Sequence, residues 1–171
     1  KLQTVEFSED SQLQKIEKNA FFVSSIERIN IPSKVEIIED GWCNNTNNFI
    51  DVEFSSENKN ITYLDFDHNI VLSKSDLNLD YFDSILFGSR EIERVSIPKY
   101  IKKICSGAFS ACLNLYEVEI PKDSELQIIG YNAFIKTAIS EIFIPSHVKV
   151  IDNGAFNECC FLEKIEFAED S

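Results

Sequence analysis

The sequence predicts a repeat solenoid, mainly β. Three observations carry that expectation: a strand-like phrase recurs along the chain, a second phrase recurs between its copies, and the two ends nearly match. The chain opens on "KLQTVEFSEDS" and closes on "LEKIEFAEDS". A single compact core gives no reason for this, whereas a chain that starts and stops at one phase of a repeat does.

The first phrase is apolar, two variable, apolar, one variable, apolar. It appears with a following proline as "IERINIP" (26–32), "IERVSIP" (92–98), "LYEVEIP" (115–121) and "ISEIFIP" (139–145). It appears without proline as "LQTVEF" (2–7), "FIDVEF" (49–54) and "LEKIEF" (162–167). The last apolar positions are Phe7, Ile31, Phe54, Ile97, Ile120, Ile144 and Phe167, spaced 23 or 24 residues apart except for one gap of 43. That period belongs to leucine-rich repeats. The expected architecture is therefore a right-handed leucine-rich-repeat coil with a parallel concave sheet and few or short helices. Its strands should centre on Thr4–Phe7, Arg28–Ile31, Asp51–Phe54, Arg94–Ile97, Glu117–Ile120, Glu141–Ile144 and Lys164–Phe167, paired parallel in sequence order.

The second phrase reads "LQKIEKNAF" (13–21), "VEIIEDGW" (35–42), "IKKICSGAF" (101–109), "LQIIGYNAF" (126–134) and "VKVIDNGAF" (148–156). Its apolar–x–x–Ile step indicates a second short extended segment. The small residue before Phe lets the backbone turn tightly and drops the ring into the core. Phe21, Phe109, Phe134 and Phe156 should stack as a ladder, with Trp42 taking the place of Phe in the second coil; a structural ladder is the favoured reading over a ligand box.

Between Phe54 and Ile97 the period fails. "ITYLDFDHNIVLS" and "YFDSILF" are rich in β-branched and aromatic residues, and the polar "SKSDLNLD" lies between them. This pattern predicts a β-hairpin excursion standing off the solenoid, either a protruding recognition element or a spacer. The expected organisation is repeats over 1–60, the hairpin insertion over 61–91 and repeats over 92–171, one solenoid domain. The absence of Met and the shared phase of the ends suggest a piece of a longer array. Solenoids need polar caps, and none is visible near Lys1 or Ser171, so end-to-end self-association, or a chain only modestly stable as a monomer, is expected.

The stretch "IERVSIPKYIKKICSGAFSACLNLYEVEIP" resembles the BspA-like leucine-rich repeat, with its strand–Ile–Pro, Val-x-x-Ile, Ala-Phe and a Cys three residues on. The resemblance covers nearly the whole chain, and the insertion resembles an excursion common in that group. It implies a surface antigen of the kind found in anaerobic bacteria and protists, located at the cell surface or secreted, and it implies adhesion to host cells or matrix proteins. "GWCNNTNNF" departs from the pattern at Trp42. Ser24, Cys112, Thr137 and Cys159 fill one column, which reads as a small, buried, weakly polar position and not as a reactive site.

The net charge of −13 argues against binding nucleic acid or an anionic membrane and suits a basic protein partner. No apolar run approaches the ~20 residues of a spanning helix, so no direct membrane insertion is expected. The chain is expected to be no enzyme and to need no cofactor or metal. His68 and His147 lie far apart in the array and form no metal pair or triad. The cysteines, Cys43, Cys105, Cys112, Cys159 and Cys160, include no CxxC pair; Cys112 and Cys159 should be free and slow to react. The acidic loops at 8–11, 122–125 and 168–171 lack the glycine and carboxylate spacing of a calcium loop. Asn44 and Asn60 head N-glycosylation sequons.

Alternation along the concave strands places one outward column at Thr4, Arg28, Asp51, Arg94, Glu117, Glu141 and Lys164, and the next at Glu6, Asn30, Glu53, Ser96, Glu119, Phe143 and Glu166. Glu117, Glu119 and Glu141 should crowd like charges on adjacent strands, beside Tyr116 and Phe143. An aromatic within a charged patch has hot-spot composition. Tyr116, Glu117, Glu119, Glu141 and Phe143 are therefore the candidate protein-binding residues. The functional expectation is a non-enzymatic interaction scaffold; the alternative is a structural spacer in a cell-surface stalk.

Overall fold

The computed structural model describes residues 2–8 and 10–169. Among these the chain forms fifteen short strands and no helix. Numbered along the chain, the concave-face strands are β1 (Thr4–Val5), β3 (Arg28–Ile31), β5 (Asp51–Phe54), β9 (Arg94–Ser96), β11 (Glu117–Glu119), β13 (Glu141–Ile144) and β15 (Lys164–Phe167). They fall on the seven segments expected from the first phrase. β1, β3 and β5 pair parallel in that order, as do β9 with β11 and β13 with β15. The ladder is not continued from β5 to β9, where the excursion enters, nor from β11 to β13.

The second phrase builds the other short strands: β2 (Lys15–Ile16), β4 (Ile37–Ile38), β10 (Lys103–Ile104), β12 (Ile128–Ile129) and β14 (Val150–Ile151). Proline ends the concave strands because it has no N–H for a ladder. The carbonyls of Pro32, Pro98, Pro121 and Pro145 each accept the N–H three residues on, at 3.0–3.1 Å, which turns the chain towards the second sheet.

After the second strand the backbone turns through the left-handed region at Asn19, Gly41, Gly107, Asn132 and Gly154, with φ between 53° and 78°. This is the physical content of the Asn/Gly-Ala-Phe phrase. Gly and Asn tolerate positive φ, and Ala108, Ala133 and Ala155 are small because they are buried. A second turn in the same conformation follows at Val23, Asn45, Ala111, Lys136 and Glu158.

The rings behind these turns form the expected ladder in part. Phe109 stacks on Phe134 at 5.2 Å, and Phe134 on Phe156 at 5.6 Å, with nearly parallel planes. Phe21 meets Trp42 edge-on at 6.0 Å. Phe87 of the excursion lies 6.5 Å from Trp42 and 4.7 Å from Phe49.

The excursion differs from expectation in its placement. β7 (Ile70–Ser73) and β8 (Ser84–Gly88) form the antiparallel hairpin around "SKSDLNLD", and β6 (Ile61–Tyr63) adds a third strand by pairing with β7. The hairpin does not stand off the solenoid. β8 pairs parallel with β10 and occupies the second-sheet position of the interrupted coil. Val71, Leu86 and Phe87 pack into the N-terminal core, whereas Ile70, Leu72 and Ile85 pack into the C-terminal core. A strand buried on both faces reads as a continuous apolar run without alternation, and "ILF" is such a run. Gly88 is required by closeness: a Cβ there would lie 2.5 Å from the Phe109 ring.

Candidate protein-interaction face

β3 buries Ile29 and Ile31 and turns Arg28 and Asn30 outward, and β13 buries Ile142 and Ile144 and turns Glu141 and half-buried Phe143 to the other side. Both outward columns fall in register: Thr4 opposite Arg28, Arg28 opposite Asp51, Arg94 opposite Glu117, Glu141 opposite Lys164, Ser96 opposite Glu119, and Phe143 opposite Glu166.

The five candidate residues divide into two groups. Tyr116 and Glu117 gather around Arg94. The Arg94 guanidinium donates to the Tyr116 hydroxyl at 2.5 Å, lies 5.6 Å from that ring's centre, and approaches Glu117 at 4.0 Å. The hydrogen bond to Tyr116 leads the effects that hold the Arg94 pKa above its ordinary value. Glu119, Glu141 and half-buried Phe143 line a cleft of about 620 Å³ between β11 and β13, together with Lys122, Lys164 and Glu166. Lys164 donates to Glu166 at 2.5 Å. That bond raises the lysine and holds the Glu166 carboxyl below the usual carboxylate range.

Glu117 faces Arg94 across one ladder and Glu141 faces Lys164 across another, so the column keeps its two carboxylates adjacent in order with a cation on each flank. The step from Glu117 to Glu141 is the one at which the ladder is interrupted.

A further cleft of about 490 Å³ lies where the excursion meets β9, lined in part by Asp65, Asp67, Glu91, Glu93 and Arg94. Phe66, at the tip of the β6–β7 turn, is fully exposed. Behind it Tyr63 is sandwiched between Phe54 at 4.2 Å and His68 at 3.9 Å. Burial, followed by Asp51 and Glu53, pushes the Tyr63 hydroxyl up to about 12. The stacking of His68 was not signalled by its neighbours in sequence. His147 is exposed.

All five cysteines are free. Cys112 is fully buried, with Sγ 3.4 Å from the Ser89 carbonyl, and half-buried Cys159 places Sγ 3.0 Å from the Phe134 carbonyl and 3.3 Å from the Thr137 hydroxyl. The column is thus a chain of weak polar contacts between coils. Burial pushes Cys43 up to about 11, and raises Cys105 and Cys112 as well.

In the 122–125 loop, Ser124 is buried and its hydroxyl accepts the Leu126 N–H at 3.2 Å, so that loop is closed on itself. Glu9, Asp170 and Ser171 of the other two acidic loops lie outside the described residues, as does Lys1. Among the described residues no group of three or more His, Cys, Asp or Glu is placed to hold a metal ion.

The Asn44 sequon is corrected by burial. Asn44 is 2% exposed, Thr46 is 0% exposed, and the Asn44 amide is held between Gly41 and Gly107, where a Cβ on either glycine would collide with it. The folded coil leaves no room for a glycan there. Asn60 is half-buried at the start of β6 and remains a candidate.

One residue with no sequence signal holds the centre of the array. Arg90 is 6% exposed and donates to the carbonyls of Thr46 at 3.2 Å, Gly88 at 2.7 Å and Ala108 at 3.0 Å, with its guanidinium 5.0 Å from the Phe87 ring. It ties the second coil, the excursion and the fourth coil together. Asp40 spans the same gap by accepting from Lys103 Nζ and the Ser106 N–H, each at 2.5 Å.

A family model described as "BspA type Leucine rich repeat region", in six copies, matches residues 1–79 and 80–171. The chain belongs to the BspA-type leucine-rich repeat family. Among solved structures this BspA-type array is similar to a leucine-rich repeat protein of Eubacterium ventriosum, with TM-score 0.78 and 25% identity, over 96% of this chain and 42% of that one. It is also similar in fold to a leucine rich cell surface protein of Faecalibacterium prausnitzii, with TM-score 0.63 and 18% identity, over 98% of this chain and 60% of that one. The pneumococcal vaccine antigen PcpA shares the fold at TM-score 0.51 and 16% identity, over 99% of this chain and 60% of that one. The BspA-type array thus spans about half the length of these solved proteins. A search of curated proteins finds no match. Proteins of this family are typically interaction or surface proteins, and their repeats are generally non-enzymatic scaffolds. No helix among the described residues is long and apolar enough to cross a membrane.

Proposed function

We propose that this chain is a non-enzymatic protein-binding module of a surface or secreted protein, and that its concave face holds a basic partner, in adhesion to a host or matrix protein. The observation that carries this reading is the cleft of about 620 Å³ in which Phe143 stands with Glu119 and Glu141, while Glu166 is paired with Lys164 and Lys122 lines the same cleft. A half-buried aromatic anchor beside two carboxylates that form no salt bridge among the described residues suits a partner that presents Lys or Arg around an apolar side chain. The surface or secreted location is supported by the company the fold keeps, a cell surface protein and a vaccine antigen.

The test is a selection of displayed random peptides against the intact chain, followed by binding kinetics on variants. The selected peptides should be basic, and their affinity should fall as salt screens charges over ~8–10 Å. Phe143→Ala should mainly speed dissociation, and Glu141→Gln mainly slow association. Binders that ignore salt and both substitutions would move the site off this face and leave the spacer reading.

A further inference from the structure

We propose that the aromatic groove on the excursion is a second docking site, for an acidic peptide segment that seats one large apolar side chain. This goes beyond the concave-face reading: the surface is different and the charge preference is opposite. The groove has a volume of about 370 Å³ and is walled by Tyr63, Leu64, Tyr81, Phe82 and Tyr100 over a floor of Leu72. One wall is held before anything binds: Tyr63 is covered on both faces by Phe54 and His68, and its hydroxyl donates to the Val52 carbonyl at 2.7 Å. Leu72 is 3% exposed, while Tyr81 and Tyr100 remain 41% and 43% exposed. Tyrosine offers amphipathic contact area at low entropic cost.

The charge at the rim decides the occupant. Lys74 Nζ lies 5.5 Å from the Phe82 ring centre. Lys102 Nζ lies 5.0 Å from the Tyr81 ring centre and donates to the Tyr81 hydroxyl at 2.7 Å. Neither forms a salt bridge with a described carboxylate, although acidic residues outnumber basic ones 29 to 16. The adjacent carboxylate of Asp83 accepts from the Ser75 N–H and hydroxyl at 2.8 and 2.6 Å, and with Glu125 it acts on Lys102 from beyond salt-bridge distance. Two cations outside any salt bridge among the described residues, both over rings of one apolar groove, complement an anionic segment with an apolar anchor.

The experiment measures fluorescence anisotropy of a labelled glutamate peptide with one central phenylalanine, added to the intact chain at low salt. Matched peptides replace the phenylalanine by alanine, or the glutamates by lysines. The glutamate–phenylalanine peptide should bind, and its affinity should drop roughly tenfold on loss of the phenylalanine or on Tyr100→Ala, as expected for one buried anchor. Lys74→Gln with Lys102→Gln should weaken binding and flatten its salt dependence, with unchanged thermal melts showing that the fold is kept. Phe143→Ala and Glu141→Gln should leave binding unchanged, which separates this site from the concave face. Preference for the lysine peptide, equal binding of the alanine peptide, indifference to Tyr100→Ala and the lysine substitutions, or no binding at all would each overturn the proposal.

Discussion

Arg90→Met removes the tie at the centre of the array while keeping much of the side chain's bulk. The Ala108 carbonyl retains a bond from the Gly88 N–H at 2.8 Å, so two buried carbonyls, those of Thr46 and Gly88, lose their strongest donor. Each buried group left unpaired costs about 1–3 kcal/mol, or about 2–6 kcal/mol for the two. The variant no longer desolvates a guanidinium, which offsets part of that cost. The expected net loss is about 2–4 kcal/mol, a large share of the 5–15 kcal/mol typical of folded proteins. Urea unfolding followed by circular dichroism reads it as a lower midpoint. Arg90→Lys should restore little, because a compact ammonium cannot span three carbonyls as a guanidinium fork does. A loss below about 0.5 kcal/mol for Arg90→Met, the range of an ordinary surface change, would refute the tie.

Further expectations follow from packing and ionisation. The thiol of Cys43 is raised by burial to about 11, so stability is fully present below the unfolded thiol pKa and declines as pH rises from there through the folded value. Melts should weaken between pH ~8.5 and ~11 by roughly 1.4 kcal/mol per pH unit for that thiol, and Cys43→Ala should remove its share; a flat alkaline profile would contradict this. At pH 7 only exposed Cys160 should label quickly with a thiol reagent, and fast labelling of Cys112 or Cys159 would count against the packed column. Gly107→Ala sets a Cβ at φ 68° and 2.3 Å from Asn44 Oδ1, and should lower stability by about 1–3 kcal/mol in urea melts.

The solenoid was legible because each coil repeats one solution to one packing problem. Ile97, Ile120 and Ile144 recur at the coil period since each fills the same slot, and Gly107, Asn132 and Gly154 recur since each turn needs positive φ. The outward columns followed from alternation alone. What does not repeat was harder to read. β8 was legible as a strand, but its burial between two cores depends on the shape of the gap it fills. Arg90 and Asp40 reach partners 44 and 66 residues away in sequence, and nothing local marks such contacts. Asn44 satisfied a sequon in sequence, but its burial depends on Gly107 in a later coil. Alternation alone set Arg94 beside Glu117 and Lys164 beside Glu141, as the register has them, but nothing in the sequence marked the break in the ladder between β11 and β13.

Hydrogen–deuterium exchange of the intact chain, with and without a selected basic peptide, locates the binding face without assuming it. Protection concentrated on 117–120 and 141–144, with the outer turns around Ala111 and Lys136 unchanged, is the expected result. Protection confined to those outer turns, with the concave strands exchanging as in the free chain, would contradict binding through the concave face.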